Sequence, residues 1–135
     1  MTQALIVKII TPSKVVLESE ATMVTIPGNK GEFSVLPDHM KLVSSINSGI
    51  ITLVNKGTKI KYFVRGGVSQ VTGDTLNIIT QFAVDLEYET PKSVKTIIKN
   101  MENNLSALDK ESVEADIILH EIEKYEELLK FIEAR

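Results

Sequence analysis

The sequence contains no cysteine and no tryptophan, and aromatic residues make up only 5% of it. Without cysteine there is no disulfide framework, no thiol nucleophile and no thiolate metal site. That composition fits a reducing cytoplasm. With so few rings, the core must be aliphatic. Long apolar runs are missing as well. Ala4 to Ile10 is the longest strongly apolar stretch, seven residues interrupted by Lys8, against about 20 for a membrane-spanning helix. The first residues show neither a basic segment leading into an apolar one nor an Arg/Ser-rich pattern, so neither a secretory signal nor a mitochondrial transit peptide is expected. Membrane association would therefore run through partners. An excess of positive charge is also absent. Lys and Arg number 15 against 18 Asp and Glu, a net charge of −3 with a pI near 5.4. Nucleic-acid binding calls for a basic surface, and Lys14, Lys56, Lys59 and Lys61 are scattered along the chain. The two histidines, His39 and His120, lie in different halves and do not suggest a metal pair.

The chain's 135 residues suit one compact domain, or a small domain with an appendage. Its character changes near residue 90. All seven glycines and three of the four prolines precede that point. In the first half, Leu5, Val7 and Ile9 alternate with Ile6, Lys8 and Ile10. The same period of two runs through Ile60, Tyr62 and Val64 and through Leu76, Ile78 and Thr80. With β-branched enrichment and Gly/Asn/Asp breaks, this reads as antiparallel strands. Asn55-Lys56-Gly57 and Thr72-Gly73-Asp74 are candidate hairpin turns. Strands with apolar residues on both faces, such as Ile50 to Val54, favour two packed sheets. The expectation is a β-sandwich over residues 3–84 within a first domain, 1–86. Gly66-Gly67 falls inside a strand pattern and reads as a bulge in preference to a close backbone approach.

The second domain, 87–135, reads as two helices. Thr90-Pro91 is a start signal, an N-cap followed by proline at the first helical position. Val94, Ile97, Ile98, Met101, Leu105 and Leu108 recur at helical spacing. Asp109 to Ser112 interrupt the run. Ile118, Ile122, Tyr125, Leu129 and Ile132 then form one stripe. Two helices of about 24 and 33 Å at 1.5 Å per residue make an antiparallel hairpin. Their charges differ. Residues 91–110 carry four bases and two acids, a net +2, while residues 111–135 carry eight acids and three bases, a net −5. Opposite signs favour pairing the helices, each exposed pair contributing about 0.2–1 kcal/mol. A narrow apolar stripe with a polar remainder also suits a hairpin that exchanges partners.

Residues 27–39, PGNKGEFSVLPDH, concentrate the candidate chemistry. Gly28-Asn29-Lys30-Gly31 is too short for a phosphate loop and opens no helix, so it reads as a tight turn. Glu32, Asp38 and His39 could form an acid/base group in a small lyase or hydrolase, but no nucleophile accompanies them. Pro27 and Pro37 fix φ near −65° and stiffen both ends, and a stiff, exposed, polar loop is suited to docking. Asp85, Glu87 and Glu89 alternate before Pro91 and read as a solvated linker. On the residues alone, a free-standing sandwich adaptor whose hairpin binds a helix or peptide stays open.

The string PGNKGEFSVLPDH, then Ser48-Gly49, then FVRGGVSQV, resembles the ε-subunit family of bacterial F-type ATP synthases, whose mitochondrial counterpart is called δ. That family shows P-G-x-x-G-E-[FL]-G-[VI]-L-P-x-H-x-P-L and later F-V-S-G-G-x-x-x-V, and the similarity runs through nearly the whole chain. It implies a non-catalytic rotor part on the cytoplasmic face of the inner membrane, with no cofactor. Its sandwich is implied to bind the γ subunit and the c-subunit ring. Its hairpin is implied to reach the α/β catalytic subunits and regulate ATP hydrolysis. The contact residues implied are Glu32, Asp38, His39 and Lys41. Departures are Ser34 for the usual glycine, Lys41 for the usual proline and Arg65 for a common serine. Some members bind ATP through an I/L-D-x-x-R-A segment. Here the region reads VDLEYETPKSVK, with no Arg-Ala pair, so no nucleotide site is assigned. Inhibitory members use basic residues of the last helix against an acidic segment, so this acidic helix implies weak or absent inhibition.

Overall fold

The computed structural model describes residues 4–38 and 41–133. Two compact units divide the chain, residues 1–87 and 88–135. The first holds ten strands: β1 (Leu5–Ile10), β2 (Val15–Ala21), β3 (Met23–Gly28), β4 (Gly31–Val35), β5 (Leu42–Ile46), β6 (Gly49–Asn55), β7 (Thr58–Val64), β8 (Gly67–Thr72), β9 (Thr75–Ile79) and β10 (Ala83–Asp85). They form one continuous hydrogen-bonded sheet in the order β10-β7-β6-β3-β5-β8-β9-β1-β2, with β4 added to β3. The sheet closes over an aliphatic core. Leu5, Val7, Ile9, Val24, Ile26, Ile51, Leu53, Val71, Leu76 and Ile78 line it. These residues occupy alternate positions on their strands, as a period of two requires.

Turn chemistry sets the registers. Lys56 (φ 51°) and Gly57 (φ 82°) both take positive φ between β6 and β7, the pattern of a two-residue type I′ hairpin. Gly73 (φ 58°) does the same work between β8 and β9. Adjacent strands run antiparallel, except that β1 pairs parallel with β9. No short turn joins those two strands, so nothing in the connection forces them antiparallel.

The glycine pair does not bulge a strand. Val64 ends β7 and Gly67 begins β8, and between them Gly66 takes φ 64° and Gly67 φ 138°. A bulge does occur elsewhere. Ile9 faces Leu17 while Ile10 faces Val15, leaving Val16 as the extra residue. Two buried hydroxyls find carbonyl partners. Ser69 Oγ donates to Ser44 O at 3.3 Å, and Thr80 Oγ1 donates to Phe82 O at 3.3 Å.

The second unit is a helical hairpin, α1 (Pro91–Ser106) and α2 (Val113–Glu133). Thr90 caps α1. Its side chain accepts from Ser93 N at 3.1 Å while Ser93 Oγ accepts from Thr90 N at 2.9 Å, a reciprocal capping box. Ser112 opens α2 by accepting from Ala115 N at 3.1 Å. Lys95 near the start of α1 meets Glu133 at the end of α2 at 3.4 Å, as an antiparallel pair demands. Val94, Ala115, Ile122, Leu128 and Ile132 are buried. The apolar stripe of α2 thus includes Leu128, with Ile118, Tyr125 and Leu129 half-buried at its margins.

Candidate partner-contact site

Residues 27–35 are a hairpin of β3 and β4, not an irregular loop. Pro27 pairs with Glu32 and Gly28 with Gly31, leaving Asn29-Lys30 as the turn. The left-handed step falls on Gly31 (φ 117°). Glycine at position 28 has a packing reason. A β-carbon there would come within 2.8 Å of the Phe33 ring, so the ring occupies the space above a strand glycine. The hairpin is tied to the next turn by Asn47, whose N–H donates to Pro27 O at 2.8 Å and whose side-chain amide reaches Gly28 O at 3.4 Å. Stiffness here comes from paired backbone as well as from proline.

Glu32 stands exposed on β4 beside this turn. Asp38 is exposed and takes φ 65° after Pro37. His39 lies outside the described residues. Lys41 is exposed immediately before β5. That strand meets the hairpin only where Ile46 pairs with Gly28, and otherwise runs along β8. The stretch from Lys41 to Ile46 spans about 17 Å of extended chain. Neither the Glu32 nor the Lys41 side chain has a hydrogen-bond or ion-pair partner among the described residues, so both are open to a neighbour.

The acidic segment before α1 is used locally. Asp85 Oδ1 accepts from Glu87 N at 3.0 Å, and Glu89 Oε2 accepts from Ser93 Oγ at 2.8 Å. Among the described residues, no group of three or more His, Cys, Asp or Glu side chains is arranged to hold a metal. Within the second unit, Tyr125 has its pKa raised, first by burial and then by the charges of Glu121 and Glu89. The periodicity pointed to Tyr125 as apolar stripe. In the fold its ring is half-buried, next to Glu121, which is ion-paired to Lys124 at 2.9 Å.

Comparison with known proteins matches residues 4–86 to the family described as ATP synthase, Delta/Epsilon chain, beta-sandwich domain. The ATP synthase epsilon chain of Rickettsia felis is 34% identical over 109 residues, covering 78% of this chain and 97% of that one. The epsilon chain of Rickettsia bellii is 38% identical over 113 residues, covering 82% and 98%. Among solved structures, a chain of the Euglena gracilis mitochondrial ATP synthase, solved as OSCP/F1/c-ring, superposes with a TM-score of 0.67 at 22% identity, over 97% of this chain and 80% of that one.

Proposed function

This chain belongs to the ATP synthase epsilon-chain family, and on that premise we propose that its sandwich docks on both the γ subunit and the ring of c subunits. It is a non-catalytic subunit of the central stalk, and its energetics are those of interfaces: a buried apolar centre with a polar rim. Glu32, Asp38 and Lys41 are the contact residues proposed on the described surface, together with His39. A stiff hairpin with exposed charges at its end is suited to hold one orientation against a rotating neighbour. The sandwich, residues 1–86, carries the docking. The helical hairpin, 87–135, is proposed to reach the α/β catalytic subunits and to regulate ATP hydrolysis weakly. No helix among the described residues is long and apolar enough to cross a membrane. The proposed location is peripheral, on the cytoplasmic face of the bacterial inner membrane.

The observation that carries this reading is the family match over the whole of the sandwich, residues 4–86. The test is titration of the full chain into purified γ from the same organism. A one-to-one complex is expected. Charge reversal at Glu32 and Lys41 should weaken attachment of the γ complex to isolated c rings. A chain that binds neither γ nor rings would overturn the reading.

A further inference from the structure

The β3–β4 hairpin is held by the sheet unevenly along its length. β4 adds to β3 alone. On the other side of β3, β6 pairs with Met23, Val24 and Thr25 and then departs. Beyond Thr25 the sequence itself prevents a full ladder. Pro27 has no N–H to donate, so a neighbour on that side can use only its carbonyl. Glu32 is the register partner of Pro27. The exposed carboxylate therefore rides on the part of the hairpin that β6 does not hold.

The end of β5 supplies the hold instead. Ile46 pairs with Gly28, and the next residue, Asn47, makes two bonds to the same strand. Its backbone N–H donates to Pro27 O at 2.8 Å, and its side-chain amide donates to Gly28 O at 3.4 Å. Any residue except proline could make the first bond. The second needs a donor on a short side chain at this position. The corner is itself firm, because Ile46 is buried and pairs with Gly67 of β8. Asn47 thus joins a fixed part of the sheet to the strand that leads into the turn.

We propose that Asn47 is a positioning residue for the c-ring contact, its side-chain amide setting the angle at which the hairpin presents Glu32. The inference rests on the docking reading above, which supplies the ring as the neighbour. Glu32 is exposed, so its direction is set by the backbone beneath it. A carboxylate on a fixed hairpin loses less freedom on docking than one on a hairpin that swings, and the difference appears as affinity. Asn47 carries no charge, so its contribution is orientation and not attraction. Loss of one neutral hydrogen bond of this kind should weaken docking about fivefold.

The experiment is titration of isolated c rings with the complex of γ and the full-length chain. The variants are Asn47→Ala, Asn47→Leu, Glu32→Gln and the double variant Asn47→Ala with Glu32→Gln. Thermal unfolding and γ affinity are recorded for each. Asn47→Leu keeps the bulk of the side chain and lacks the donor. Both single changes at position 47 should weaken ring binding about fivefold and leave γ affinity unchanged. In the Glu32→Gln background, Asn47→Ala should change nothing further, since a residue that acts through Glu32 is then without effect. Amide exchange on the free chain gives a second reading. The hairpin amides from Lys30 to Glu32 should open faster in Asn47→Ala, and those of β7 should not. Equal losses in both backgrounds, an accompanying loss of γ affinity, or unchanged hairpin exchange overturns the proposal and leaves the docking reading standing. Full ring binding by Glu32→Gln removes Glu32 as the contact and overturns the proposal with it. A wild-type complex that does not bind rings overturns the docking reading as well.

Discussion

Gly67 lies so close to the carbonyl oxygen of Ile79 that a β-carbon at this position would overlap it. Gly67 directly precedes Val68, the register partner of Ile79, near the point where the chain leaves β7 for β8. Gly67 also holds φ 138°, a conformation that L side chains rarely adopt. Gly67→Ala therefore meets both a backbone clash and a strained dihedral, and should destabilise the protein by about 3 kcal/mol. Its neighbour is a built-in control. Gly66 has φ 64°, and a β-carbon there would sit 3.5 Å from Ile46 O, in ordinary contact. Gly66→Ala should cost about 1–2 kcal/mol, the left-handed penalty alone. Urea unfolding of both variants checks the ordering.

The reciprocal bonds between Thr90 and Ser93 fix where α1 begins. Thr90→Ala removes the acceptor for the Ser93 N–H and should cost about 1 kcal/mol. Ser93→Ala removes the acceptor for the Thr90 N–H and also frees Glu89. Because both side chains serve one motif, the double variant should lose less than the sum of the singles. A double-mutant cycle followed by helical circular dichroism measures that coupling.

The division into sandwich and helical hairpin was legible because each half repeats its own period over many residues. The turn at Lys56-Gly57 and the cap at Thr90 were legible for a related reason: few residue types tolerate those conformations. Gly67 was harder. A glycine in a strand pattern signals either a bulge or a close approach, and only the fold shows that Ile79 is the neighbour. Leu128 and Leu129 are adjacent, and either fits a stripe through Tyr125 and Ile132, so spacing alone could not choose. Apolar residues on both strand faces, as in Ile50 to Val54, read as two packed sheets, whereas the strands form one continuous hydrogen-bonded sheet. Periodicity gives which face of a strand is apolar but not which strands pair, so the order of the sheet had to come from the fold.

Tyr125 gives a pH signature. Burial, then Glu121 and Glu89, raise its pKa above the ordinary value of 10.0. The folded state therefore keeps its proton where the unfolded state has lost it. The stabilising contribution is complete below the unfolded pKa and declines as pH rises through 10 towards the raised folded value. Tyr125→Phe should remove that part of the alkaline loss. Unfolding midpoints at pH 9 and pH 10.5 for both proteins provide the comparison, and equal losses would assign the slope to other groups.

The last prediction concerns regulation. Between Val113 and Glu133, α2 carries seven acids, Glu114, Asp116, Glu121, Glu123, Glu126, Glu127 and Glu133, against Lys124 and Lys130. Lys124 is held by Glu121 at 2.9 Å, leaving the helix surface dominated by negative charge. An acidic surface on a catalytic subunit would repel such a helix, since like charges juxtaposed at an interface disfavour it by several kcal/mol. Ending the chain after Pro91 should therefore change ATP hydrolysis by the assembled complex by less than about twofold, while the sandwich stays bound. Retention of the truncated chain in the purified complex controls for assembly. Reversing four of the acids, with Glu114→Lys, Glu123→Lys, Glu126→Lys and Glu133→Lys, should create inhibition that the native chain lacks. A large rise in hydrolysis on truncation would instead mean that the hairpin restrains the enzyme through its apolar stripe, independently of charge.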